Sequence, residues 1–448
     1  MSTSNNQSNP QTSRRRFLQQ VTATGFAAPF FVRNLISAPP SATIRLAAFG
    51  AGGMGFHTLE GICRHPKVKL ACVAEVDSAQ LDLVQPKYPD ARVYQDWREM
   101  LKKEHKNVDM VCVGTPDHVH APMAMASMRN GLPVYCQKPL THDIFETRRL
   151  TEFARKKKLV TQMGIQIHSR AEYKTAVLLV QTGAIGKIKE VYTWSGKKWG
   201  DMEPLPDHGD PVPSTLNWDL WIGPCAPRPY IKSYYHPGNW RKRIDFGTAT
   251  FGDMGCHIYD PVYEALKLTA PLKVRSEGPA PGKDNWAINA IVHYEFPGTE
   301  YSEDKTVKVT WYDGDERPPR DIQALIETTK LPGQGSILIG TKGVMLIPHV
   351  GMPKLYPEAQ FKDFKMPQVE SVNHYFEFAD AVMGNGKTTT CFDYSGPLTE
   401  TVLLGSIAAR FPKTTLEWNA AKLRFTNSHE ATDFVRRKYR SGWKVKGL

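Results

Sequence analysis

The chain reads as an α/β protein in two parts, and three features of the sequence predict this. Short apolar runs alternate with helical stretches from Ile44 to Gly164. A glycine-rich turn, Gly50-Ala51-Gly52-Gly53-Met54-Gly55, sits at the first strand–helix junction. Beyond residue 165, several runs alternate apolar and polar residues singly, the period of a strand with one covered face. The first two features imply a doubly wound parallel sheet of the Rossmann type. The third implies a further α/β domain with its own sheet. The expected division is a signal region at 1–42, a nucleotide-binding domain at 43–165 and a substrate and oligomerisation domain at 166–448.

Composition narrows the class. With 448 residues the chain can bury a large core without disulfide or metal staples. Hydrophobic residues at 41% and charged residues at 23% exclude a wholly disordered or collagen-like chain. No apolar run reaches the ~20 residues of a membrane-spanning helix. Seven scattered cysteines make no disulfide framework. The net charge of +12 is spread along the chain, densest at Arg14-Arg15-Arg16, at Lys156-Lys157-Lys158 and in the tail from Arg436 to Lys446. No nucleic-acid-binding motif accompanies it, so solvated faces and a targeting signal explain it better than nucleic-acid contact.

The elements follow in order. Residues 1–12 are polar. Ser13-Arg14-Arg15-Arg16-Phe17-Leu18-Gln19 then resembles a twin-arginine export signal, with Gln19 where that pattern often has Lys. A moderately apolar stretch, Val21 to Val32, and small residues and prolines from Ser37 to Ala42 complete the order of a signal peptide. A basic disordered arm is the plain alternative. The signal reading implies the twin-arginine machinery as a partner and a periplasmic location.

Ile44 to Phe49 is a buried strand, the turn follows, and a helix runs to Arg64. Val68 to Val76 is the next strand and carries Glu75, 20 residues beyond Gly55. Strand, G-x-G-x-x-G, helix, strand and acid together are the dinucleotide-binding fingerprint. Gly50 permits the tight turn, Gly52 lets backbone approach a pyrophosphate, and Gly55 lets helix and strand pack closely. Gly53 and Met54 lead into a helix N-terminus whose free amides face the phosphates. Glu75 is expected to accept hydrogen bonds from the adenosine ribose and to repel a 2′-phosphate, which favours NAD over NADP. A twin-arginine route carries folded proteins, which suits a chain that loads a cytoplasmic cofactor before export.

The alternation continues through a strand ending at Tyr94, a helix at Asp96–Glu104 and a strand at Val108–Val113. A helix lies between Pro122 and Gly131. Leu132–Cys136 is a strand, Asp143–Lys157 a helix, and Leu159–Gly164 is strand-like. Met123, Met125 and Met128 read as core filler, and Cys63, Cys72, Cys112 and Cys136 as buried thiols.

Ligands gather at the carboxyl ends of such strands. Two ends are chemically loaded. One is Gly114-Thr115-Pro116-Asp117-His118-Val119-His120 and the other is Gln137-Lys138-Pro139. Thr115, Pro116, His118, His120, Gln137 and Lys138 are therefore expected around the cofactor. An ordinary polar loop accounts equally for Asp117, His118 and His120. A metal site using the two histidines lacks a third ligand at fixed spacing, so no metal is expected. Further on, Gly252-Asp253 and His257 open a helix expected to run from Asp253 to Leu268, kinked by Pro261. Asp253 and His257 would then be i,i+4 neighbours, the acid orienting the imidazole and stabilising its protonated form.

Together the glycine turn, Thr115-Pro116 with His120, Lys138-Pro139, and Gly252-Asp253 with His257 resemble the Gfo/Idh/MocA oxidoreductases, over nearly the whole chain after residue 42. The resemblance implies a second domain with a large, open, mostly antiparallel sheet, through which copies would associate. It also implies catalytic or substrate-positioning roles for Lys138, Asp253 and His257. Gln137 stands where that family usually has Glu. The missing carboxylate would favour a neutral Lys138 as proton acceptor, with His257 as the rival.

The second half supports this independently. Ile288 to Phe296 and Val307 to Trp311 alternate as strands, and Ile337–Ile339 and Val344–Ile347 flank a hairpin turn. Helices are expected near Val372–Val382 and Pro397–Arg410. The aromatic-rich region from Trp218 to Trp240 could stack on a sugar ring or pack against the sheet. The expected function is an exported, NAD-dependent oxidoreductase acting on a sugar, cyclitol or derivative. Two alternatives are a glycoside-cleaving enzyme using NAD for transient oxidation and a nucleotide-retaining binding protein without turnover.

Overall fold

The computed structural model describes residues 43–327 and 330–448; the expected export signal lies outside them. Six strands form the first sheet: β1 Ile44–Phe49, β2 Val68–Ala74, β3 Arg92–Tyr94, β4 Met110–Val113, β5 Val134–Cys136 and β6 Thr161–Met163. Their order is 3-2-1-4-5-6, and each recorded pairing is parallel. That is the doubly wound order, with its switch point between β1 and β4. The crossover helices are α1 Met54–Cys63, α2 Trp97–Glu104, α3 His120–Arg129 and α4 Ile144–Lys157. Local chemistry sets their ends. Asp96 and Asp143 cap α2 and α4 with side-chain oxygens, and Gly131 follows α3 with φ at +81°. Met123, Met125 and Met128 are buried core residues.

After α5, Ala171–Gln181, a second sheet of nine strands is built. These are β7 Ile188–Ser195, β8 Lys273–Ser276, β9 Ile291–Pro297, β10 Thr306–Asp313, β11 Gln334–Gly340, β12 Val344–Pro348, β13 Lys354–Tyr356, β14 Thr415–Asn419 and β15 Arg424–Phe425. The order is 13-12-11-7-10-9-8-14-15, antiparallel except for β7 with β10. The strand expected from Ile288 begins at Ile291, because Asn289 takes φ of +72° and its carboxamide accepts from the Asp315 amide. The single helix expected over Asp253–Leu268 is two, α6 Ala249–Ile258 and α7 Asp260–Ala265, meeting at Tyr259. Pro261 falls in the first turn of α7, where a missing N–H costs nothing.

The chain then returns to the first sheet. Helix α8, Phe392–Ala408, starts five residues before the expected Pro397 and packs on α4 and α6. It is buried along most of its length, so its place comes from tertiary packing and not from an amphipathic stripe. Arg148 on α4 grips Glu400 of α8 with two bonds of 2.7 Å. Beside this seam, His168 Nδ1 donates to the buried Asp260 carboxylate at 2.9 and 3.0 Å, and Tyr394 donates to the same group at 2.6 Å. Burial pulls the His168 pKa down, but Asp260 outweighs it and lifts the value to about 9.

The aromatic region packs on itself. Trp221, Tyr230, Tyr234, Tyr235 and Trp240 form a buried cluster with Phe246. Of the two readings open for this region, packing is the one found, although Trp221 and Trp240 reach the cleft described next.

Candidate active site

The glycine turn is required by close approach. Gly50 has φ of +88°, and a Cβ there would meet the Gly114 carbonyl oxygen at 2.9 Å. A Cβ on Gly55 would lie 2.5 Å from the same oxygen, so α1 starts against the end of β4. Among the described residues, the amides of Gly52 and Gly53 find no acceptor. With the N-terminus of α1 at Met54 they form a cradle that a pyrophosphate would fill. The turn opens into a cleft of about 330 Å³, walled on one side by Glu75, Thr115, Pro116 and Met123. The other wall is Trp221, His236, Trp240 and Arg241. The residues present therefore fit a dinucleotide.

Glu75 has a second task. Its Oε2 accepts from the Ala51 amide at 2.6 Å and its Oε1 from the Asp77 amide at 3.0 Å. Burial raises its pKa, against the pull of those two amides. It braces the glycine turn, and a ribose would share it with backbone. Next to it, His236 Nε2 lies 2.9 Å from Asp77 Oδ2 and clasps the aromatic loop to the end of β2.

Three residues expected around the cofactor stand behind the cleft wall. His118 is fully buried, donates to the Trp221 carbonyl at 2.8 Å and packs on Trp221 and Phe246. The ring nitrogens of His120 lie 2.8 Å from the Pro139 and Thr115 carbonyl oxygens, which ties the two loaded strand ends together. Burial presses His118 to about 3 and His120 to about 4. Gln137 donates to Thr58 Oγ1 at 2.8 Å and fills the space over Gly164. Their polarity in sequence is spent on internal structure. Among the described residues, no three His, Cys, Asp or Glu side chains converge to hold a metal.

Lys138 and Asp253 do meet. Lys138 Nζ donates to Asp253 Oδ1 at 2.7 Å and to the Asp253 carbonyl at 2.8 Å. Their side chains are 12% and 6% exposed. The carboxylate expected to be missing beside Lys138 is thus supplied from α6, and the argument for an unopposed lysine is corrected. Asp253 also accepts from Trp199 Nε1 at 2.9 Å, Lys197 Nζ at 3.1 Å and Arg241 Nε at 3.4 Å. Burial works to raise its pKa, but Lys138, Lys197 and Arg241 hold it far below the carboxylate range. Arg241 belongs to the cleft wall as well, so the cleft and this cluster share a residue.

Asp253 does not bond His257, against expectation. His257 Nδ1 is buried without a partner, and no protein group among the described residues bonds its Nε2. Burial, then Lys138 and His349, push its pKa well below the imidazole value, so the ring is neutral at neutral pH. The ring of His349 stands 5.8 Å from it and is held by the Tyr173 hydroxyl at 2.9 Å. Asp117, expected only as loop polarity, is buried and accepts from Thr248 Oγ1 at 2.7 Å. Burial lifts its pKa to about 7. Lys197, Trp199, Arg241, Asp117 and His349 were not foreseen as site residues. Lys197 and Trp199 follow the end of β7, and the strand-end rule would have found them had it been applied to the second sheet.

Comparison with known proteins gives concordant results. Residues 44–165 match a family described as an oxidoreductase family with an NAD-binding Rossmann fold. Residues 176–331 match its C-terminal alpha/beta domain. An inositol 2-dehydrogenase of Rubrobacter xylanophilus is 29% identical over 167 residues, 37% of this chain and 46% of that protein. An alpha-N-acetylgalactosaminidase of Shewanella oneidensis is 26% identical over 160 residues, 34% of each chain. The chain thus matches less than half the length of these curated relatives. Among solved structures, the WlbA dehydrogenase of Chromobacterium violaceum, in complex with NADH and UDP-GlcNAcA, superposes with a TM-score of 0.62 at 14% identity, covering 85% of this chain and 98% of that one. The aldose-aldose oxidoreductase of Caulobacter crescentus gives 0.57 at 15%, covering 84% and 100%. At these identities the likeness is one of fold.

Proposed function

The chain belongs to the Gfo/Idh/MocA oxidoreductases, and we propose that it is an exported, NAD-dependent enzyme that oxidises a secondary alcohol of a sugar, cyclitol or sugar derivative. The observation that carries this reading is the unengaged, neutral His257 ring near the Lys138–Asp253 pair, a cluster joined through Arg241 to the wall of the dinucleotide cleft. NAD, when bound at the glycine turn, supplies the hydride acceptor. The chain supplies orientation and proton handling. His257 takes the hydroxyl proton: its ring is unprotonated at neutral pH, and the Asp253 charge favours the protonated ring as the proton arrives. Lys138 spends two donors on Asp253 and keeps a third for the carbinol oxygen, whose negative charge it stabilises as the proton leaves. The buried Glu75 favours NAD over NADP, because a 2′-phosphate beside it would meet a carboxylate.

Relatives named inositol 2-dehydrogenase support a cyclitol-like substrate. The relative named alpha-N-acetylgalactosaminidase favours a second reading, NAD-assisted cleavage of a glycoside through transient oxidation. Export to the periplasm by the twin-arginine route rests on the Ser13 to Leu18 pattern. Association of copies through the open face of the nine-stranded sheet completes the proposal. The test is mass analysis of the purified protein for bound nucleotide, then a carbohydrate panel followed at the nicotinamide absorbance. A net oxidised product supports the first reading and a net hydrolysed product the second. Retained nucleotide with no turnover on any sugar overturns both in favour of a binding protein.

A further inference from the structure

A second cavity, of about 420 Å³, lies away from the dinucleotide cleft, between the end of α8, the Ile244–Thr248 loop and the C-terminal segment around Phe434. Its wall carries five cations, Lys283, Arg410, Arg436, Arg437 and Lys438, beside three carboxylates, Asp143, Asp245 and Asp433. Arg410 sits with its guanidinium 4.9 Å from the ring centre of Trp286 and 4.5 Å from that of Phe434. Among the described residues, no acceptor or carboxylate pairs with this side chain. Arg437, on the same wall, is balanced by Glu146, yet its Nη1 is buried with no partner. Ser406 Oγ is likewise buried and unpartnered. Lys283, Arg436 and Lys438 stand at the rim, and no carboxylate among the described residues lies within ion-pair distance of them. Of the three carboxylates on the wall, Asp245 pairs with Arg228, Asp143 accepts from the Arg437 amide and lies 3.7 Å from the Arg437 Nε, and Asp433 is exposed.

Unpaired buried donors are costly unless something completes them. An arginine with its guanidinium against two rings and no acceptor among the described residues has donors to offer an oxyanion. His142 contributes the opposite polarity. Its ring meets the Ile244 carbonyl, and its buried Nε2 has no partner, so a neutral ring offers that nitrogen to a ligand hydroxyl. We propose that this cavity is a second binding site for a small hydroxylated anion, a sugar phosphate or sugar acid, whose oxyanion is held by Arg410, Arg437 and Ser406. The site shares no group with the hydride-transfer machinery and does not depend on the activity proposed above. It adjoins that machinery, because Thr248 forms part of its wall and donates to Asp117.

The experiment is calorimetric titration of the full chain, saturated with NAD, at ~0.15 M salt. The probes are glucose 6-phosphate, gluconate, inorganic phosphate and glucose. Saturable binding of at least one of the hydroxylated anions is expected, and any binding of glucose should be unaffected by Arg410→Gln. Whichever of glucose 6-phosphate and gluconate binds more tightly identifies the oxyanion, and a weaker inorganic phosphate shows that the hydroxyls are read too. Arg410→Gln should weaken that binding by about tenfold or more, and Ser406→Ala less, while Lys197→Ala leaves it unchanged. Should Arg410→Gln fail to fold, Arg410→Lys and Ser406→Ala read the same contacts. No saturable binding below ~10 mM overturns the proposal. So does undiminished affinity in the cavity variants, or a loss confined to Lys197→Ala, which would place the anion at the Asp253 cluster.

Discussion

Replacing Asp253 by Asn keeps the shape of the side chain and removes the charge that four donors share. The structure ranks those donors. Lys197 is 43% exposed, so its pair is screened and contributes ~0–1 kcal/mol. Lys138 is buried, and its pair is the one whose rupture strands a charge, at ~3–5 kcal/mol. The bond from Trp199 to a charged acceptor adds ~1.5–3 kcal/mol, not additively. Asn retains one carbonyl oxygen for Lys138, so the net loss expected for Asp253→Asn is about 3 kcal/mol, a large part of a typical stability of ~5–15 kcal/mol. The sign with pH follows from the lowered pKa. The carboxylate's contribution is fully present above its unfolded value of ~3.9 and is lost as pH falls toward the folded one. Urea unfolding of both proteins from neutral pH down to about 3 measures this. The difference should hold constant down to about pH 5 and narrow below ~4. A neutral-pH difference under ~1 kcal/mol, or one that does not narrow in acid, would refute the view that Asp253 offsets a buried lysine. Lys197→Ala, expected to cost less than ~1 kcal/mol, is the control.

Further outcomes are expected. His257→Ala should lower single-turnover hydride transfer by ~10²–10⁴-fold with NAD affinity retained; if Lys138→Met gives that fall and His257→Ala does not, the proton passes to the lysine. His168, with its pKa raised to about 9, contributes stability that is complete below its unfolded value of ~6.5 and lost as pH rises through the folded one. The urea-midpoint advantage of wild type over His168→Gln should therefore shrink between neutral pH and about 9.5, and an advantage growing with pH would contradict the pairing. Arg14→Lys with Arg15→Lys should leave folded protein in the cytoplasm, and unaltered export would remove the signal reading.

Where neighbours in sequence are neighbours in space, the sequence was readable. The glycine turn, the strand carrying Glu75 and the loaded ends after β4 and β5 lie within single βαβ units, so spacing alone located them. The family resemblance gave Lys138 and Asp253 roles in one site, but their ion pair was not foreseen, since 115 residues separate them. What escaped was partner choice. Asp253 and His257 are one helical turn apart, yet the carboxylate turns to three cations and an indole from other segments, because opposite charge outweighs proximity. His118, His120 and Gln137 looked like site chemistry, since polarity in a string does not reveal whether its partner is a ligand or a backbone carbonyl. The aromatic run from Trp218 to Trp240 carried two readings for the same reason, because rings that could stack on a sugar can stack on each other.

Arg241 belongs to two neighbourhoods. It forms part of the wall of the dinucleotide cleft and also touches Asp253. Its guanidinium rests 4.3 Å from the ring centre of Trp240, another residue of that wall. Whatever displaces that wall on filling the cleft must also shift a positive charge relative to Asp253, and hence relative to Lys138. Occupancy of one compartment is thereby transmitted as an electric field in the other. The kinetic corollary is sequence of arrival: the alcohol meets a correctly charged pocket only after the nucleotide is seated. Initial-rate patterns should therefore be those of a compulsory-order mechanism with nucleotide first, and substitution of Arg241 by Met should relax that order.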